Sequence, residues 1–217
     1  MRDGKTKDYD LYLTNMGAAR VLAQFYIEKF KSAYTDANVQ FNRLRPDIGQ
    51  DAFEIHIPDG IIIKNEGTDL NVPTCITNTA ISLRNRVQII FRFTGSPEDV
   101  TDKFDFEHTR CWYSKDTGLQ VNREAVESAL SRELIYTGSE YPVSSMMRAK
   151  RFVDRGWNIS AGQQLKIALD ISKLDLENPV TLRDQLIGVD LMLFNQLLRR
   201  VELNEEARII DLIDEVF

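Results

Sequence analysis

The chain reads as an α+β protein: a mixed β-sheet in the first half, followed by an all-helical second half. Three observations predict this. Phe53–Ile57 alternates with a period of two, as half-buried strands do, and strand-like runs continue to Phe93, whereas the composition from Val121 onward turns helical. Gly, Pro and Asp clusters separate the strand-like runs, as in Pro58-Asp59-Gly60 and Gly95-Ser96-Pro97. The change of period falls near residue 120, which sets the expected division at 1–120 and 121–217.

The elements follow in order. Tyr9 to Leu13 is an apolar run that suits a strand. Thr14 or Asn15 can cap a helix over Ala18–Tyr34, whose expected core stripe is Val21, Leu22, Phe25, Tyr26 and Phe30. Phe53–Ile57 and Ile61–Ile63 flank a Pro-Asp-Gly turn and predict a β-hairpin. Thr77–Leu83 and Val87–Phe93 are further strands, the second apolar enough to be central. Ser96 and Pro97 open a short helix. Phe104–Tyr113 predicts one more strand, stopped by Lys115–Gly118, with Trp112 and Tyr113 in the sheet core and Cys111 a buried thiol. Helices are expected at about 121–135, 143–155 (with Gly156 as its stop), 161–171, 180–200 and 204–216.

Bulk properties exclude more than they identify. The 217 residues are 43% hydrophobic and 28% charged, the profile of a globular domain with a full core. A net charge of −6 carries no global basic field for nucleic acid. Two cysteines, Cys75 and Cys111, are too few for a disulfide framework and read as reduced thiols of a cytoplasmic protein. No apolar run reaches the ~20 residues that span a bilayer, so no membrane partner is expected. The nearly continuous apolar run Leu191–Leu198 and the acidic, amphipathic Ile209–Phe217 are candidates for a buried helix or a homo-oligomer contact.

The candidate chemistry starts at Lys7-Asp8-Tyr9-Asp10. On a strand, residues i and i+2 share a face, so Asp8 and Asp10 project side by side. Two adjacent carboxylates repel unless a cation lies between them, which suits a divalent metal clamp. Two later segments complete the set: Asp105-Phe106 with Tyr113 and Gly118, and Arg148-x-x-Arg151-Phe152 with Gly156-Trp157. Arg148 and Arg151 share a helix face and can offer planar donor forks to a base or phosphate. His108, near Asp105 and Glu107, could be a base or ligand, and His56 a strand histidine without such a role.

Taken together, Arg2-Asp3, Lys7-Asp8-x-Asp10, Asp105-Phe106 and Arg148-x-x-Arg151-Phe152 resemble the head and neck of the polymerase-β-like nucleotidyltransferase superfamily, specifically the tRNA CCA-adding and poly(A) polymerase head family. That resemblance covers residues 2–160 and implies a nucleotidyltransferase-like head. It implies Mg²⁺ held by Asp8 and Asp10, with Asp105 as an assisting catalytic acid. Arg2, Arg148 and Arg151 would be nucleotide contacts, NTP the donor, and RNA or a tRNA 3′ end the acceptor. The chain departs from the family in two places. Gln88 stands where the preceding strand would carry a third acid, and no Gly-Gly or Gly-Ser turn precedes Arg2. The departures suggest the alternative of a catalytically inactive nucleotidyltransferase fold serving as a binding or assembly module.

Overall fold

The computed structural model describes residues 9–35, 40–44, 53–57, 62–63 and 69–186. The chain packs as two units, Met1–Val100 and Thr101–Phe217. The fold class matches the sequence reading: a mixed sheet first, then helices. The contacts divide the chain before residue 120, so a small hairpin groups with the helices.

In the first unit, β1 (Tyr9–Leu13) leads into α1 (Met16–Ala33). Asn15 caps α1, its side chain accepting from the Ala18 N–H at 2.8 Å. The strands β2 (Gln40–Leu44), β3 (Phe53–His56), β4 (Ile62–Ile63), β5 (Cys75–Ile76), β6 (Ala80–Ser82) and β7 (Val87–Thr94) follow. Among the described residues the main sheet runs β1-β7-β6-β5-β4. The β1–β7 pair is parallel and the rest are antiparallel, as expected where α1 begins a crossover between β1 and β7.

Three expectations for this unit are corrected. Of the stripe expected on α1, Phe30 is buried and Leu22 and Tyr26 pack against the core, but Val21 is 71% and Phe25 47% exposed, and Ala19, Ala23 and Ile27 complete the buried face. The two alanines let the helix lie close against its neighbours, so the buried face is not the one with the most large side chains. Among the described residues the β3–β4 hairpin is not formed: β3 pairs with β2, and β4 pairs with β5. Alternation marks a strand without naming its partner. The strand expected over Thr77–Leu83 is present but shorter, as β6, the second arm of a tight β5–β6 turn in which the Thr77 hydroxyl accepts from the Ala80 N–H at 3.0 Å. Ile55, Ile76, Ile81, Ile89 and Phe91 close the core with α1.

The short helix α2 (Pro97–Thr101) begins as expected, with the Ser96 hydroxyl accepting from the Asp99 N–H at 3.2 Å. In the second unit, the strand expected over Phe104–Tyr113 breaks into three pieces. Phe106 bridges to Tyr136, Glu107–Thr109 makes a 3₁₀ turn, and β8 (Cys111–Ser114) pairs with β9 (Gly118–Val121). Then come α3 (Arg123–Ser131), α4 (Pro142–Val153), α5 (Ala161–Ile171) and α6 (Pro179–Leu186). The expected helix over 180–200 is described as far as Leu186, and the one over 204–216 lies outside the described residues.

Helix ends in this unit follow their residues. Gly156, at φ 85°, closes α4 through two bonds: Trp157 N–H to the Phe152 carbonyl and Gly156 N–H to the Val153 carbonyl. That pairing needs a left-handed residue, which glycine supplies without strain. α3 ends the same way on Arg132, φ 54°, where a side chain costs roughly 1 kcal/mol. Phe106, Leu134, Tyr136, Ala149 and Ile167 form the core, with Phe152, Trp157 and Ile159 packed against it.

Candidate functional site

The residues expected to act together fall in different settings. Arg2 and Asp8 lie outside the described residues. Asp10 is an exposed residue of β1, in register with Gln88 of the parallel strand β7. Register partners of a parallel pair stand side by side on one face. The strand neighbour that could supply another carboxylate therefore offers a neutral amide.

Asp105 belongs to the helical unit, where it is 3% exposed. Its backbone is fixed by the stretch it runs along: the Thr137 N–H donates to the Asp105 carbonyl at 3.0 Å, and the Glu107 N–H to the Ile135 carbonyl at 2.9 Å. The Thr137 hydroxyl donates to the Phe104 carbonyl at 2.6 Å. This ladder turns the Asp105 carboxylate toward α4, where Arg148 Nη2 lies 2.6 Å from Oδ2. The approach is close in distance but off the axis of a hydrogen bond, so Oδ2 is compensated by charge and not by a directed N–H. Arg148 keeps 45% of its side chain exposed. Arg151 is exposed and engaged in no ion pair, so of the six candidate residues the structure joins only Asp105 and Arg148 among those described.

Beside Asp105 stands His108, held among aromatic rings. Its ring lies 4.2 Å from that of Trp157 and 4.6 Å, perpendicular, from that of Phe152. Both ring nitrogens are buried without a hydrogen-bond partner. Burial pushes its pKa below the ordinary histidine value, and the negative charge of Asp105 opposes that shift in part. A ring held neutral and stacked this way serves as an aromatic side chain. Trp157 also lines a largely apolar cavity of about 550 Å³ with Met146, Ala149, Val153, Ile167 and Ile171.

Other polar groups in this unit are structural. Asn122 caps α3 by accepting from the Ala125 N–H at 2.6 Å, and donates from Nδ2 to the buried Glu107 at 2.8 Å. The Tyr136 hydroxyl donates to Asp170 at 3.0 Å, and burial together with that carboxylate pushes its pKa far up. Asp170 itself is held low, chiefly by the Lys173 ammonium 2.7 Å away.

Comparison with known proteins then decides the family. A family model described as Gabija anti-defense 2 family protein matches residues 1–132, more than half of the chain. The chain belongs to the Gabija anti-defense 2 family. No curated protein and no solved structure matches. The assignment corrects the nucleotidyltransferase resemblance, and with it the reading of the chain as a nucleoside monophosphate transferase or an inactive form of one. The associated readings of magnesium, nucleotide and RNA binding lose their basis too.

Packing explains why the motif match misled. Phe106 and Phe152 are core residues, Asp105 anchors Arg148, Gly156 ends α4, and Trp157 covers His108. Each of these six residues has a local structural task of its own. Sequence reasoning also misplaced the β8–β9 hairpin of this anti-defense chain. Tyr113 is 72% exposed and Cys111 exposed, not core residues. The signal available was the alternation of Cys111, Tyr113, Leu119 and Val121 around a Gly turn. Among the described residues no helix is long and apolar enough to cross a membrane.

Proposed function

We propose that this chain suppresses the Gabija defence by binding one of its protein components. The family match over residues 1–132 carries the reading, because the family is described by an anti-defense role. Cytoplasmic action fits it, and the free thiols Cys75 and Cys111 suit a reducing compartment. Binding that occupies a working surface of the defence is sufficient for such a role and requires no reaction on the partner.

The test is a phage challenge of a host strain carrying the Gabija defence, with and without the chain expressed. Plaquing should rise toward that of a strain lacking the defence. Plaquing equal to the empty-vector control, with the chain present at normal levels, would sink the anti-defense reading. Co-purification of the chain with purified Gabija proteins tests the binding step separately.

A further inference from the structure

We infer that the outer face of the β8–β9 hairpin is the surface through which this chain docks on its protein partner in the Gabija defence, an inference that rests on the binding reading above. The register pairs Cys111 with Val121 and Tyr113 with Leu119. Alternate residues of a strand share a face, so these four side chains form one patch of two cross-strand pairs. All four point into solvent: Tyr113 is 72%, Leu119 68% and Val121 48% exposed, and Cys111 is exposed as well. An apolar face turned outward on a two-stranded sheet is costly for a free monomer, and single exposed apolar residues do not form such a pattern.

The face is also held rigid. The Ser114 and Thr117 hydroxyls meet at 2.7 Å across the turn, the Thr117 N–H donates to Ser114 Oγ at 3.1 Å, and Gln120 Nε2 donates to the Thr117 carbonyl at 2.8 Å. Gly118 sits at φ 69° with open space where a Cβ would be, so the turn requires its conformation and not its small size. A preordered patch loses little conformational entropy when it is covered. The hairpin lies wholly within the segment matched by the family, as expected of a surface serving the role that defines it.

Area selects the occupant. Four side chains of this size and exposure offer on the order of 400 Å², well short of the ~800 Å² per partner of a stable interface. Two copies meeting through this face alone would bury too little for a stable dimer. A two-fold contact gives each copy only this same patch. A different and larger protein with an apolar groove can take Tyr113 and Leu119 at its centre and add contacts to surface flanking the hairpin, so the occupant is such a protein. Tyr113 has the character of an anchor, a large rigid ring with a polar tip.

The experiment uses the full chain and purified Gabija proteins, with Tyr113→Lys/Leu119→Lys and, separately, Leu119→Ser. Both positions are exposed, so the melting temperature should stay within a few degrees of wild type. Binding should weaken at least about tenfold in the double variant and less in Leu119→Ser, with a parallel loss of plaquing. Wild-type binding that the double variant retains within about twofold overturns the surface while leaving the binding reading intact. Wild type that restores plaquing yet binds no Gabija protein overturns the binding reading instead. A stable wild-type dimer that the variant loses, seen by light scattering, overturns the choice of occupant. If the double variant melts early, the Leu119→Ser result decides.

Discussion

Asp10 and Asp105 look alike in sequence, each an aspartate beside an aromatic residue in an extended run, and they end in opposite environments. Asp10 is exposed on β1, the edge of the sheet among the described residues, in register with Gln88. Asp105 is 3% exposed and charge-paired with Arg148. The first carboxylate stays in contact with water in the folded chain, so folding strips little of its hydration. The second has lost its water and depends on one guanidinium. What a carboxylate does is set by what replaces its water, and that is decided by residues distant in sequence.

The largest effect expected from this contrast is at Asp105. Asp105→Asn keeps the shape and removes the charge that compensates Arg148. Losing one partner of a buried pair costs about 3–5 kcal/mol. Arg148, at 45% exposure, can turn to water, so we expect about 2 kcal/mol here, read as a lower midpoint in urea denaturation. A loss below about 0.5 kcal/mol, the range of ordinary surface changes, would break the contrast.

A second prediction uses the histidine that Asp105 faces. Burial depresses the pKa of His108 in the folded protein, so the neutral ring is the form that folding favours. Its contribution is fully present above the unfolded-state pKa, about 6.5, and is lost as pH falls from there through the lower folded value. Stability should therefore decline as pH falls below about 6.5, and His108→Phe should flatten that decline. Asp170, also held low, loses its contribution below the ordinary carboxylate range, and the His108→Phe comparison leaves that part of the curve common to both proteins. Thermal melts of both proteins at a series of pH values check this. Parallel curves for wild type and His108→Phe would show that the ring nitrogens carry no cost. Asp105→Asn removes the charge that favours the protonated ring and should push the His108 pKa lower still, visible in its ring-proton chemical shifts.

The fold class was legible because hydrophobic period and turn residues are local. The Asn15 cap, the span of α5 and the Gly156 stop could be read from a few neighbouring residues, and the structure has them. Strand partners could not be read this way, because the pairing of β3 with β2 and β4 with β5 depends on segments brought together by the whole fold. The face of α1 was read only in part, Phe30, Leu22 and Tyr26 but not Val21 and Phe25, for a related reason. Large apolar residues dominate a sequence pattern, while close packing selected Ala19 and Ala23. Of the site, sequence singled out Asp105 and Arg148 without showing that they bind each other. A motif spacing carries no sign of whether two charges face a ligand or one another.

The smallest expected effect is the sharpest test of the comparison. Asp10→Asn changes one oxygen for an amide nitrogen at an exposed position on β1, and Asn keeps one of the two acceptor oxygens. Surface substitutions of this kind shift stability by less than about 0.5 kcal/mol. The strand pair should keep its register, because the neighbouring pairs Tyr9–Val87 and Leu11–Ile89 are untouched. A docking surface on the hairpin predicts that the variant binds Gabija proteins, and restores plaquing, as wild type does. Loss of plaquing at unchanged stability would place Asp10 within the functional surface and show that exposure, not burial, marks the working carboxylate of this chain.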